Sequence, residues 1–362
     1  MRADAADVRG HGDIASIQYL RAVAALMVVA FHLKVRLARM GYEGTWPEWL
    51  SCGVEIFFVI SGAIMWLTTY NRVISPREFL LRRFLRIAPL YYAMTAIIVV
   101  IMAVAPSLVA GGRIDIRHVL ASLLFLPTSH PVLGTMEPVL PQGWTLNYEM
   151  GFYLLFAAAL FLSRPFRAWA VLLALLALVF AGIGSDPHSM FGFFTSSIIL
   201  EFAFGIFVGA AVTSGLRLPR LLALGLFAAG AIGIPATWSF VEGGVPRALL
   251  SGVAAASLAA GAIFLERGRA IPKSRLLHLL GDASYSIYLV HGIALTAVGA
   301  VWAKAGIGIG VGGIAGFTVV GVVSACLAGI ALHVTIEKPL HALAQRATRR
   351  AAATTVRSYP RL

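Results

Sequence analysis

A chain of 362 residues in which 59% are hydrophobic and 12% charged falls well short of the ~25% charge of soluble domains, and one buried core cannot account for the deficit. Its apolar runs suit helical spans, which need ~20 residues, and lack the ~10-residue alternating segments of a membrane barrel. The fold class is therefore all-α, a polytopic transmembrane helix bundle, and the formal net charge of +13, which in a soluble chain would point to nucleic acid, finds another explanation in its placement.

The leading segment 1–13 mixes Arg and Asp and lacks the basic-then-apolar pattern of a secretory leader, so the first apolar run is read as a retained span. About ten spans follow in order: Ala15–Leu33, Cys52–Tyr70, Ala88–Pro106, Gly143–Leu162, Ala168–Gly184, Phe194–Thr213, Leu218–Pro235, Val245–Leu265, Ala283–Trp302 and Gly310–Thr335. The stretch Ser107–Gln142 is long for a connection and rich in proline, which suits a lid or binding surface; within it, Arg117–Leu126 is expected as a short interfacial helix. Residues 1–345 form one membrane domain, and 346–362 a basic tail suited to the anionic inner leaflet. Cys52 and Cys326 show neither CxxC nor metal spacing and read as packing residues. No metal is expected.

Charge placement tests this map. With both termini in the cytoplasm, 21 of the 29 Lys and Arg fall on cytoplasmic segments and 7 on external ones, Arg21 lying within a span. That bias is the positive-inside signature, so nucleic acid is not needed to explain the charge.

Ionisable groups inside lipid spans are costly and face polar cavities, which makes each one a candidate for function. Arg21 and His32 are eleven residues apart, within about 20° of one helix face and about 16 Å apart along the axis. A neutral imidazole can take a proton from a hydroxyl near neutral pH, and Arg21 can stabilise negative charge deeper in the same tunnel; the plainer alternative is a snorkelling arginine and an interfacial histidine. Glu55, near the external end of the second span, either orients that imidazole, binds a sugar hydroxyl or is simply interfacial. Glu149 lies about two turns into the fourth span and is a functional candidate. Trp144, at that span's boundary, is a belt aromatic or a carbohydrate-stacking residue. Glu201 in the sixth span ranks lower, as a partner for some basic residue. In the ninth span Ser284, Tyr288 and His291 share one face, His291 being either a packing residue or a functional one. Between the second and third spans, Arg82, Arg83 and Arg86 follow one another at i, i+1 and i+4, with Arg82 and Arg86 on one face and Arg83 about 100° away. They serve topology, or they form a phosphate site for which coenzyme A, supplied from the cytoplasm, is a natural occupant.

The same stretches carry a resemblance. Ile17 to His32 (with Arg21), Gly53-Val-Glu-Ile-Phe-Phe-Val-Ile-Ser-Gly62, Arg82-Arg-Phe-Leu-Arg-Ile-Ala-Pro89, Trp144-Thr-Leu-Asn-Tyr-Glu149 with Phe152-Tyr153, and Gly281-Asp-Ala-Ser-Tyr-Ser-Ile-Tyr-Leu-Val-His291 occur in the order found in the acyltransferase-3 family of integral membrane O-acyltransferases, and the chain resembles its exopolysaccharide-acetyltransferase-like branch. The resemblance implies transfer of an acyl group, acetyl foremost, from cytoplasmic acyl-CoA to a hydroxyl of an extracytoplasmic or lipid-linked glycan, in a multi-pass protein of a bacterial-type inner membrane. It maps the family's functional Arg and His of the first span onto Arg21 and His32, and its arginine motif onto Arg82, Arg83 and Arg86. Ala88 stands where the family often has an aromatic residue, and no fused hydrolase-like domain follows the tenth span. The expected site is thus His32, Arg21 and Glu149 for catalysis, the three arginines for acyl-CoA, and Glu55, Trp144, Tyr288 and His291 for the acceptor. A polysaccharide transporter or flippase, and a non-catalytic partner in polysaccharide assembly, are the alternatives.

Overall fold

The computed structural model describes residues 14–268, 271–308 and 310–343; the leading segment 1–13 and the basic tail 346–362 lie outside them. Among the described residues the chain is helical throughout, with no strand. The helices are α1 (Ala15–Arg39), α2 (Gly53–Tyr70, preceded by a 3₁₀ turn, Glu48–Cys52), α3 (Pro76–Val104), α4 (Ile116–Leu123), α5 (Trp144–Ala159), α6 (Arg164–Ala181), α7 (Met190–Phe194) and α8 (Leu200–Thr213). They continue with α9 (Arg220–Ala236), α10 (Trp238–Glu242), α11 (Val253–Arg267, after a π turn, Ala248–Gly252), α12 (Arg275–Asp282), α13 (Ser284–Lys304) and α14 (Val311–Leu332, running into a π turn, His333–Glu337).

Every predicted span has a helix in its place, but their character differs. Seven helical segments among the described residues are long and apolar enough to cross a membrane: Glu48–Tyr70, Pro76–Val104, Arg164–Ala181, Met190–Thr213, Ala248–Arg267, Ser284–Lys304 and Val311–Leu343. Arg220–Ala236 is apolar but shorter. α1 carries Arg21, Lys34, Arg36 and Arg39 along its length, and α5 has only 16 residues.

The third helix starts twelve residues before its predicted span. The arginine segment is not a loop but the first three turns of α3, because Ser75 caps it, its hydroxyl accepting the Glu78 N–H at 3.2 Å, and Pro76 occupies the first turn, where a missing N–H costs nothing. At ~1.5 Å per residue its 29 residues extend ~44 Å, longer than the ~30 Å hydrocarbon core, so its arginine end projects past the lipid. The sixth span is broken, with α7 and α8 separated by a 3₁₀ turn at Ser197–Ile199. The interfacial helix forms as α4, started by Asp115, whose carboxylate accepts the N–H groups of Arg117 and His118.

Two close approaches fix the core. α2 packs along α8 where a Cβ at Gly62 would meet the Phe202 carbonyl, and one at Gly205 the Val59 carbonyl; small residues let backbones touch in this way where lipid gives no hydrophobic drive. Gly281 of α12 likewise sits on the backbone of Gln18, which holds α12 and the start of α13 against α1. The first turn of α1 has no side-chain cap of its own. Its orphan donors are taken by Glu266 at the end of α11, which accepts the Ala15 and Ser16 N–H groups at 2.8 Å each and the Ser16 hydroxyl at 2.6 Å, a carboxylate placed where the helix dipole favours it. The result is a ring of α1, α2, α3, α5, α13 and α14 around the residues that the sequence singled out.

Candidate active site

A cavity of about 100 Å³ lies in the middle of that ring, lined among others by Arg21, Ser61, Arg83, Arg86, Glu149 and Tyr288. A second cavity, of about 360 Å³, opens at the end of the bundle where α3 begins, with Gln18, Asp282, Glu337 and Lys338 on its walls. Arg21 and Arg86 line both. The two spaces therefore share a neck made by two guanidinium groups.

The electrostatics of the neck follow from its neighbours. Arg21 donates to Gln18 Oε1 at 3.1 Å, and the charges acting on it belong to Arg86, Glu337, Asp282 and Glu149. Arg83 donates to the Thr68 hydroxyl at 3.0 Å and lies over the rings of Phe79 and Tyr153, 5.7 and 6.0 Å from their centroids. Arg82 goes elsewhere: it pairs with Glu78 one turn back, is largely exposed, and lines neither cavity. The inward pair of the arginine segment is thus Arg83 with Arg86, at i and i+3, rather than Arg82 with Arg86. Glu149 turns toward the hydroxyls of Ser61 and Tyr153, in the field of Arg86 and Arg83, and belongs to the central cavity.

Beyond that cavity the polar groups continue. The Tyr288 hydroxyl donates to the Gln142 carbonyl at 3.0 Å and lies 2.9 Å from the Thr145 hydroxyl. One turn on, His291 is fully buried, and its Nδ1 meets the Tyr288 carbonyl at 2.6 Å. Its ring centre is 4.8 Å from that of His32, whose Nδ1 meets the Val28 carbonyl at 2.8 Å. Two histidines that the sequence places 259 positions apart are neighbours, and the line runs from His32 through His291 and Tyr288 to the arginine neck.

Two predicted residues stand apart from it. Glu55, fully buried, is held by Arg247, whose Nε donates to Oε1 at 2.6 Å, and shares its surroundings with the equally buried Glu201. Its carboxylate does not reach His32. Trp144, partly buried, packs edge-on to Tyr148, 5.9 Å between centroids, in an aromatic cluster with Phe193.

One group escaped the sequence reading. Glu337, in the π turn after α14, accepts from the Ser286 hydroxyl at 2.7 Å and from His333 Nδ1 at 2.7 Å, and its charge acts on Arg21. It sits just past the last apolar residues, where a carboxylate before Lys and Pro reads as an ordinary loop. The i, i+4 spacing of His333 and Glu337 was the signal available. Among the described residues no group of His, Cys, Asp or Glu is arranged to hold a metal ion.

A family model describing an acyltransferase domain matches residues 14–333. The chain is 39% identical over 302 residues to the exopolysaccharide production protein ExoZ of Rhizobium meliloti (strain 1021), an alignment covering 80% of this chain and 89% of that protein. It is 30% identical over 186 residues to the peptidoglycan O-acetyltransferase OatA of Listeria monocytogenes, covering 47% of this chain and 27% of that one. No solved structure matches it.

Proposed function

The chain belongs to the acyltransferase family, and from that premise we propose that it moves an acyl group, acetyl foremost, from acyl-CoA on the cytoplasmic side to a hydroxyl of an extracytoplasmic or lipid-linked glycan. The observation that carries the reading is the shared neck: Arg21 and Arg86 line both the outer cavity and the central one. A donor with an anionic head and a slender thioester arm suits such a path. Its phosphates fit the outer cavity, where Arg86 and Lys338 supply positive charge, and its arm reaches past the guanidiniums into a chamber lined by Phe57, Phe58 and Leu146 as well as by polar groups. Guanidinium groups suit phosphate and thioester oxygens because they present fixed, always-charged donors.

On this reading both termini are cytoplasmic, about ten helices cross the bilayer, and the mouth of the outer cavity faces the cytoplasm, as the positive-inside bias requires. Arg21 and Arg83 hold the donor. His32 serves as general base: a carbonyl oxygen accepts only, so its 2.8 Å bond to Val28 puts the proton on Nδ1 and leaves Nε2 as the free lone pair. As that nitrogen takes the acceptor hydroxyl's proton, the hydroxyl oxygen bonds the acyl carbon, the carbon–sulfur bond breaks, and the sulfur leaves with the electron pair. Glu149 keeps Ser61 and Tyr153 oriented around the donor arm, and Tyr288 and His291 line the approach to His32. The relatives whose names refer to exopolysaccharide production and peptidoglycan O-acetylation support a glycan acceptor.

The test is label transfer from acetyl-CoA to polysaccharide in proteoliposomes. Transfer that requires acetyl-CoA, falls about 10²–10⁴-fold in His32→Ala and persists in Arg82→Ala is the expected result. Turnover unchanged by His32→Ala removes the base from the mechanism, and glycan movement independent of acetyl-CoA supports a flippase instead.

A further inference from the structure

His291 is the most completely enclosed polar side chain on the line from the neck to His32, and half of it is unexplained. Its Nδ1 is occupied: the Tyr288 carbonyl at 2.6 Å can only accept, so Nδ1 carries the hydrogen. Its Nε2 is buried and has no hydrogen-bond partner. A buried nitrogen lone pair without a donor costs free energy, and a helix of this apolarity accommodates Leu or Phe at such a position without that cost. The adjacent polar ring is His32, 4.8 Å centre to centre and tilted by 55°, itself fixed in the same tautomer by Val28. At that spacing two ring nitrogens turned toward each other come within hydrogen-bond reach, about 3 Å.

Two bare lone pairs facing one another do nothing for the resting protein. They become complementary when a single proton arrives, because one Nε2–H then donates to the other Nε2. The arrangement thus favours a state reached only during reaction, which is the condition for an interaction to raise a rate. We propose that His291 is the positioning partner of His32, receiving the hydrogen bond from the imidazolium that forms when His32 takes the acceptor's proton. The inference rests on the acyl-transfer reading above. The step balances as follows. The hydroxyl O–H bond breaks and its proton goes to His32 Nε2, where it is shared with His291 Nε2; the oxygen bonds the acyl carbon; the carbon–sulfur bond breaks and the thiolate leaves with the pair; the shared proton then passes to that sulfur, and both histidines end neutral. A neutral imidazole does here what a buried carboxylate does behind other catalytic histidines, without adding a negative charge to the span.

The experiment uses the full chain in proteoliposomes with acetyl-CoA and polysaccharide. His291→Gln places an amide oxygen near the Nε2 position, able to accept the hydrogen bond but not to hold the proton; His291→Phe keeps the ring shape and accepts nothing. The expected result is a kcat lowered about 10- to 100-fold in His291→Phe, a KM for acetyl-CoA within two-fold of wild type, and partial recovery of kcat in His291→Gln. In mixed light and heavy water the wild-type rate should curve with isotope fraction, reporting two protons in flight, and should become linear in His291→Gln. Equal kcat for wild type and His291→Phe overturns the proposal, as does a loss confined to KM or equal losses in both variants with an unchanged isotope curve. Absence of any acetyl-CoA-dependent transfer by the wild type sinks the acyl-transfer reading itself, whereas dependence on His32 without dependence on His291 sinks only the pairing.

Discussion

Replacing Arg247 by alanine removes the guanidinium that balances two carboxylates far from solvent. Glu55 and Glu201 are both fully buried, neither Glu201 oxygen has a hydrogen-bond partner, and Arg247 Nε reaches Glu55 at 2.6 Å. Removing one member of a buried ion pair costs about 3–5 kcal/mol, because the other is left as an uncompensated charge. Arg247 is one-third exposed and also lies over the Trp238 ring, 5.3 Å from its centroid, so water already screens part of its charge and the lower end, about 2–3 kcal/mol, is the better figure. At about 2–4 °C per kcal/mol for chains of a few hundred residues, that is a fall of roughly 5–10 °C in the unfolding midpoint. The assay is heating in detergent followed by size exclusion, reading the temperature at which half of the monodisperse peak is lost. The double variant Glu55→Met with Arg247→Met removes both charges and should melt above Arg247→Ala, since apolar replacements of a whole buried pair are tolerated. A midpoint for Arg247→Ala within a degree of wild type, or a double variant that melts lower than either single one, would refute the reasoning.

The arginine segment divides by position: Arg86→Ala should raise KM for acetyl-CoA at least about ten-fold, the loss of one charge-assisted contact of about 1.5–3 kcal/mol, while Arg82→Ala stays within two-fold, its exposed pair with Glu78 being worth well under 1 kcal/mol. Steady-state kinetics of the two variants side by side decides this. Glu337→Ala orphans Ser286 and His333 at about 1–3 kcal/mol for each buried group, so its melt should drop while Glu337→Gln, which keeps an acceptor oxygen, drops less. In the segment around α4, burial holds the His118 and His130 imidazoles below their ordinary 6.5; the unfolded segment then binds protons that the folded one refuses, so stability is intact above about pH 6.5 and falls as pH drops below it. Amide exchange across residues 116–130 should quicken between about pH 7 and pH 5, and equal rates at both would contradict the assignment.

Much of the bundle was legible because lipid demands it: an apolar run of ~20 residues has few alternatives to a helix, and all ten runs became helices. The shared face of Arg21 and His32 was legible too, since eleven residues close on three turns whatever the tertiary fold. The start of α3 was not read, although Ser75, Pro76 and Glu78 spell a helix N-terminus; its arginines looked like loop charge. Choosing Arg83 over Arg82 as the partner of Arg86 depended on Glu78, which draws Arg82 outward. Contacts between distant helices left no local trace. Glu55 with Arg247, and His32 with His291, are set by which helices pack, and neither periodicity nor spacing encodes that.

The neck formed by Arg21 and Arg86 bears on a problem unrelated to catalysis. A protein that lets a reagent reach inward from one face of a membrane, and a second reagent from the other, risks short-circuiting the ion gradient that the membrane maintains. Two permanently cationic groups at the narrowest shared wall of the two cavities repel hydronium and metal cations while leaving room for an anionic guest, the same electrostatic barrier by which a single arginine keeps protons out of a water pore. The bundle can then stay open to its donor and still insulate.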